Sequence, residues 1–230
     1  YMREWAGVNP ATGAALWNLY YDDMNGDGIF NAGDSAINSM TLYMDEFPNA
    51  NVQKTSTETY ADATQKFNGK SAIPKVRGAF RLNASYKNFD LNTQFTYSLG
   101  GYAYDSAYAG LMGNGSAGQN NWHTDIRDRW QQPGDITNVP RISAAADANV
   151  NARSTRFLTK ADYFGLNNVQ LGYTLPSKYA DRLNLSKFNI FVSGDNLLFF
   201  SQREGFNTST SESGGSDTYR YSPLSTFSLG

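Results

Sequence analysis

Cysteine is absent from the 230 residues, which rules out a disulfide framework and thiolate chemistry. No apolar run approaches the roughly 18 residues that a helical membrane span needs, and mean hydropathy is low at −0.53. Neither sign of charge dominates, with 19 Lys and Arg against 21 Asp and Glu, so no basic excess argues for nucleic acid or for bulk attraction to anionic lipid. Histidine occurs once, as His123, and GxSxG, HExxH, phosphate-binding glycine loops and Cys/His clusters are missing. A lone loop histidine is more often solvated than catalytic, so no enzyme is expected. The opening Tyr1-Met2-Arg3-Glu4-Trp5 lacks the charged start and apolar centre of a signal peptide, so an exported protein would be seen here in mature or partial form.

Aromatic residues, by contrast, make up 14% of the chain, which fits either the interfacial girdles of a membrane barrel or a sugar-binding surface. The most informative stretch is 74–99, PKVRGAFRLNASYKNFDLNTQFTYSL. Two runs alternate with period two around Lys87-Asn88, which reads as a tight turn. Val76, Gly78, Phe80, Leu82, Ala84 and Tyr86 share one face of the first run, against Arg77, Ala79, Arg81, Asn83 and Ser85. Phe89, Leu91, Thr93, Phe95, Tyr97 and Leu99 share one face of the second, against Asp90, Asn92, Gln94, Thr96 and Ser98. Each run is about 11 residues long against a usual strand of about 5–6, and tilted by about 45° it rises about 25 Å, the height of the apolar band of a membrane barrel. A charge facing mid-bilayer lipid costs about 2–4 kcal/mol, and the apolar faces carry none.

Further strands are expected at Leu16–Tyr21, roughly at 161–175, at Lys187–Phe200 and from Ser222. In the 161–175 strand the apolar face switches from Phe164 and Leu166 to Val169, Leu171, Tyr173 and Leu175, which predicts a β-bulge at Asn167-Asn168. Pro176 ends this strand, and Ser177 is expected to cap one or two helical turns. Leu197–Phe200 reads as a single patch suited to a membrane interface. Residues 35–73, 100–157 and 202–221 read as long loops, while 87–88 and 176–186 are short connections. Long loops at one end and short turns at the other are the habit of outer-membrane barrels.

Residues 23–34, DMNGDGIFNAGD, match the twelve-residue calcium loop of EF-hands and dockerins, with Asp in place of the usual Glu at the last position. Asp23, Asn25, Asp27 and Asp34 would give side-chain oxygens, Ile29 its carbonyl, and Asn31 a bridging water, with Gly28 at the sharp turn. The expected ion is Ca2+, stiffening an extracellular loop. The competing reading is a solvated turn held by Asx hydrogen bonds. Tyr104, Trp122 and Trp130 in the second long loop, with Tyr102 and Tyr108, are candidates for stacking on substrate, set against plain loop packing.

Six phrases in order carry a family resemblance: EWAGVNP with Thr12-Gly13, DMNGDG at 23–28, SYKNFDL at 85–91, Arg129-Trp130, NVQLGYTLP at 168–176, and VSGDNL at 192–197. Together they resemble the C-terminal part of SusC/RagA-like TonB-linked outer-membrane transporters, from end to end of the chain. The resemblance implies an all-β, antiparallel transmembrane β-barrel of 22 strands, of which residues 1–230 supply the C-terminal part. The calcium-like stretch 22–34 would be an insertion in an extracellular loop, and the plug domain and earlier strands would lie outside this chain. It further implies a multi-pass protein of a Gram-negative outer membrane, importing oligosaccharides or peptides under a SusD-like lipoprotein lid. The TonB complex would act through the absent N-terminal parts. The rival reading is a secreted calcium-dependent carbohydrate-binding β domain, with Phe80, Leu82, Phe95 and Tyr97 in a soluble core.

Overall fold

The computed structural model describes residues 1–113, 121–143, 147, 149–203, 205–208 and 224–230. Gly115 and Gly118, most of the loop expected at 202–221, and the expected strand start at Ser222 lie outside the described residues. The chain divides into two compact units, Tyr1–Lys70 with Asp105–Leu158, and Ser71–Tyr104 with Thr159–Gly230.

The first unit contains β1 (Met2–Arg3), β2 (Trp5–Val8), β3 (Ala15–Asp22), β4 (Ser35–Ile37), α1 (Met40–Glu46), β5 (Val52–Thr57), β6 (Gln65–Lys66) and α2 (Ser106–Leu111). The turn between β2 and β3 closes through Asn9, whose Oδ1 accepts from the Ala11 N–H at 2.9 Å and whose carbonyl accepts from the Gly13 N–H at 2.7 Å. β3 is the centre: Ala15, Trp17, Leu19 and Tyr21 are buried, and alternate residues are half-buried. β5 pairs along one edge of β3, and β2 and β4 share the other. Trp17 packs with Ala15, Ala63 and Val150, and the rings of Trp5 and Tyr60 meet it nearly at right angles at 5.9 and 5.4 Å. Burying one such ring is worth about 4–6 kcal/mol gross, from about 150–250 Å² at about 25 cal/mol per Å².

On the half-buried side of β3, Glu4 accepts from Asn18 Nδ2 at 3.1 Å and from the Tyr20 hydroxyl at 2.9 Å, and lies 3.6 Å from Lys66 Nζ. Burial alone would raise the Glu4 carboxyl, but these hydrogen bonds and the lysine charge together hold it below the ordinary value. Burial likewise acts to lower Lys66, and the Tyr20 hydrogen bond and Glu4 charge outweigh it, raising the ammonium.

The loop expected over 35–73 is instead β4, α1, β5 and β6. None of these announces itself locally. The seven-residue α1 buries no side chain and has no side-chain cap bond, and β5, Val-Gln-Lys-Thr-Ser-Thr, is polar. Pairing with β3 makes β5 a strand, a tertiary effect that overrides its composition.

The second unit is built on a five-stranded antiparallel sheet of β7 (Val76–Tyr86), β8 (Phe89–Leu99), β11 (Tyr163–Thr174), β12 (Asn189–Ser201) and β13 (Thr226–Leu229), in the order β13-β12-β11-β8-β7. Short strands β9 (Tyr102–Tyr104) and β10 (Leu158–Lys160) pair separately. Lys87 takes a left-handed φ of +55° at the predicted turn between β7 and β8. Registers align the apolar positions across the sheet: Ala84, Leu91, Leu171, Val192 and Leu229 form one row. Phe80, Phe95, Leu166 and Leu198 form another, and Arg81, Gln94, Asn168, Asp195 and Thr226 a row of the opposite face. Aromatic rows bound the apolar face. Tyr86, Phe89 and Tyr173 lie beside the β7–β8 turn, and Tyr97, Phe164 and Phe200 lie toward the other end.

Among the described residues nothing covers the apolar face. Leu82 is 60% exposed and Phe80 41%, and none of the buried hydrophobic residues comes from the five strands. Phe80, Phe95 and Phe164 stack on one another across this open surface, at 4.8 and 5.6 Å. Among the described residues, Phe80, Leu82, Phe95 and Tyr97 form no enclosed core.

The predicted bulge is present. Between matching rungs, β8 passes directly from Phe95 to Gln94, β11 inserts Asn167, and β12 inserts Leu197 and Asn196, the latter at φ +53°. Three details differ from expectation. Pro176, not Ser177, precedes the helical turn α3 (Ser177–Ala180), and no side chain caps it. The fourth long strand runs Asn189–Ser201 rather than Lys187–Phe200. The Leu197–Phe200 patch is split by the pleat: Leu198 and Phe200 join the apolar face, whereas Phe199 pairs with Gly165 on the polar one.

Candidate functional site

The acidic loop follows β3, whose last residues hold it by backbone pairing. Asp23 is 5% exposed, and one oxygen each from Asp23, Asp27 and Asp34 come within 4.8 Å of one another. Asp23 accepts from the N–H of Gly26 at 2.8 Å and of Gly28 at 3.1 Å. Both glycines have positive φ, +75° and +72°, which allows the chain to fold its amides inward onto one carboxylate. Asn51, ahead of β5, donates from Nδ2 to the Asp23 carboxylate at 3.3 Å and ties the loop to the sheet.

The remaining predicted ligands are engaged inside the loop. Asn25 Oδ1 accepts from the Asp27 N–H at 2.9 Å, and the Ile29 carbonyl accepts from Asn31 Nδ2 at 2.9 Å. Asp34 Oδ2 takes the Asn31 N–H at 2.8 Å, while Asp34 Oδ1 is buried and has no hydrogen-bond partner. A buried, unsatisfied carboxylate oxygen beside two further carboxylates is a costly arrangement, which a hard cation with oxygen ligands would relieve. The donor set, all oxygen and rich in carboxylate, suits calcium.

The predicted aromatic residues are distributed over both units. Trp130 and Trp122 belong to the first unit and Tyr104 to the second. The Trp130 indole N–H donates to the Pro10 carbonyl at 2.9 Å, and its ring lies against Gly13 so closely that a Cβ there would collide with it. Trp130 is thereby built into the turn between β2 and β3, which accounts for Gly13 as well as for the tryptophan. Near Trp122, His123 caps the turn Thr124–Asp128, and Asp125 accepts from the Tyr108 hydroxyl at 2.6 Å. Sequence reasoning missed the aromatic pair Tyr163 and Phe199, whose rings stack at 5.3 Å on the polar face of the large sheet. The available signal was Phe199 standing at a polar position of an alternating strand.

Long antiparallel strands with charge on one face and apolar rows on the other define a sheet of the kind that builds outer-membrane β-barrels. Among curated proteins, the chain is 28% identical to TonB-dependent receptor P3 of Formosa agariphila over 186 residues, covering 77% of this chain and 17% of that protein. It is 26% identical over 161 residues to TonB-dependent receptor P39 of the same organism, covering 66% of this chain and 15% of the relative. Among solved structures, the RagAB peptide transporter aligns over 99% of this chain and 22% of its own, at 23% identity and TM-score 0.67. The "closed-closed" state of the RagAB peptide importer gives 24% identity and TM-score 0.68, with the same coverage. No family model matches. The resemblance to SusC/RagA-like TonB-linked transporters is thus supported by sequence relatives and, independently, by fold. The similar proteins are receptors and transporters rather than enzymes. The chain spans less than a fifth of the length of the curated relatives it matches.

Proposed function

We propose that this chain forms part of the wall and outer loops of an outer-membrane β-barrel importing oligosaccharides or peptides. A SusD-like surface lipoprotein would cover it, and the TonB complex would power it through parts of the protein outside this chain. The observation that carries the reading is the register. Across five strands, every apolar row falls on one exposed face and every charge on the other. A surface of that kind is stable in water only at great cost, and in hydrocarbon at none. The polar face then lines a wet passage, and transport needs no chemical step from these residues. Full-length protein should fractionate with outer membranes and need detergent for extraction. Recovery as a soluble, monodisperse species without detergent would sink the reading.

For the acidic loop we propose a structural calcium site held by Asp23, Asp27 and Asp34, with Asn25 and the Ile29 carbonyl completing it. The buried, unpartnered Asp34 Oδ1 supports it. Isothermal titration of the intact protein should show calcium uptake that Asp34→Ala abolishes. No uptake at millimolar calcium ends the idea. The aromatic candidates Trp122, Trp130 and Tyr104 remain proposed substrate contacts, with Trp130 offering only the part of its ring that Pro10 and Gly13 leave uncovered.

A further inference from the structure

Asparagine is followed by glycine at Asn25-Gly26, Asn68-Gly69 and Asn114-Gly115, the last outside the described residues. Glycine, lacking a Cβ, leaves its main-chain nitrogen open to attack the preceding side-chain amide, which makes such an asparagine thermolabile. The two described pairs are matched in backbone. Gly26 has φ +75° and Gly69 +70°, and neither has an atom beyond its chain neighbours within 4 Å of where a Cβ would stand. Their hydrogen bonding is opposite. The Gly26 N–H donates to Asp23 Oδ1 at 2.8 Å, Asn25 Nδ2 donates to Asn31 Oδ1 at 3.2 Å, and Asn25 Oδ1 accepts from the Asp27 N–H at 2.9 Å. Both the attacking nitrogen and the leaving amide are tied down there. Among the described residues, the Gly69 N–H and Asn68 Nδ2 have no hydrogen-bond partner. Asn68 only accepts, its Oδ1 taking the Lys70 N–H at 3.0 Å. That donor points at the oxygen on which negative charge develops during attack, and so favours the reaction.

We propose that Asn68 is a site of spontaneous deamidation, and that the fold protects Asn25 from the same reaction. The Gly69 nitrogen, its proton taken by hydroxide, bonds to Asn68 Cγ. The Cγ–Nδ2 bond then breaks, and ammonia leaves with a proton from water, giving a cyclic imide. A water molecule opens the ring at either carbonyl, so the product is aspartate or isoaspartate. The net change is water gained and ammonia lost, with no oxidant or reductant. Gly69 and Lys70 are exposed, which admits the water. Either product places a new carboxylate two residues from Lys70, ionised at neutral pH. Isoaspartate also routes the main chain through the former side chain, adding a methylene between β6 and β7. Nothing in this chemistry depends on a membrane or on a metal in the acidic loop.

The test incubates the intact protein in detergent at mildly alkaline pH, with the same protein unfolded in urea as the reference. Digestion at acidic pH and mass spectrometry follow the peptides carrying Asn25 and Asn68, and electron-transfer fragmentation separates isoaspartate from aspartate. In the folded protein, conversion at Asn68 should outrun conversion at Asn25 by about tenfold or more, the factor for one hydrogen bond to a carboxylate. In urea the two rates should converge, because only the fold distinguishes the two glycine amides. Asn68→Gln should remove the product at that position and leave the Asn25 rate unchanged. Equal rates in the folded protein, a faster Asn25, or an Asn68 peptide that stays intact would each overturn the proposal. So would a contrast that persists undiminished in urea, since it would belong to the local sequence and not to the hydrogen bonds.

Discussion

The two units of this chain obey opposite rules of burial. In the first, alternation along β3 puts Ala15, Trp17, Leu19 and Tyr21 inside, and the polar alternates sit at the half-wet surface. In the second, the same period of two puts Phe80, Leu82 and Leu171 on an open surface. Period alone therefore identifies a strand but not its solvent. What separates the two cases is length and termination. β3 has eight residues and pairs with partners of four, three and six residues, whereas β7 and β8 run 11 residues each in unbroken register.

The comparison can be broken most forcefully at Trp17. Trp17→Ala should cost about 3–5 kcal/mol within the first unit. Limited proteolysis of the membrane-inserted protein should then cut that unit while sparing the strands. Equal protection of both units in the variant would show that they are not separately stabilised. Next in size is Leu82→Arg, expected to cost about 2–4 kcal/mol in a bilayer. Asn83→Arg, one residue along on the opposite face, should cost close to nothing. Equal folding yields for the two variants in liposomes would erase the distinction between the faces.

The smallest effect concerns pH and belongs to the first unit alone. Because Glu4 is held below its ordinary value when folded, its stabilisation is full above that ordinary value and fades as pH falls through the lower folded one. Lys66 is raised, so its share is full below the ordinary lysine value and is lost above the raised one. Glu4→Gln should flatten the acid limb of a stability-against-pH curve for this unit. An unchanged acid limb would show that the carboxylate contributes nothing.

The large sheet was legible in the sequence because its solvent contrast is extreme. Alternation, the Lys87-Asn88 turn and the switch of apolar face at Asn167 all appear in the structure where the residues put them. Residues 35–66 were not legible: β5 is polar and α1 buries nothing, and both depend on β3 and on the loop around Asn51. The acidic loop was recognisable from spacing, which brought three of its carboxylates together. Spacing could not show that Asn31 occupies the Ile29 carbonyl, or that one Asp34 oxygen is left without a partner. Phe199 was assigned to an interface patch because four consecutive apolar residues hide which face each one takes.

If the large sheet spans a bilayer as proposed, its two aromatic rows set how deep it floats. Phe89 in one row and Tyr97 in the other are eight residues apart in β8, about 26 Å along the strand. At tilts of about 35–45° this becomes about 19–22 Å of height, slightly less than the roughly 25 Å slab such rows normally bracket. Rings of this kind prefer the headgroup level, so they act as a pair of waterlines on a hull. A thicker host bilayer must pinch to meet both lines or leave one submerged, at fractions of a kcal/mol for each Å of mismatch. On the proposed barrel reading the segment is matched to a thin membrane, and lipid thickness becomes a variable to control whenever the protein is reconstituted.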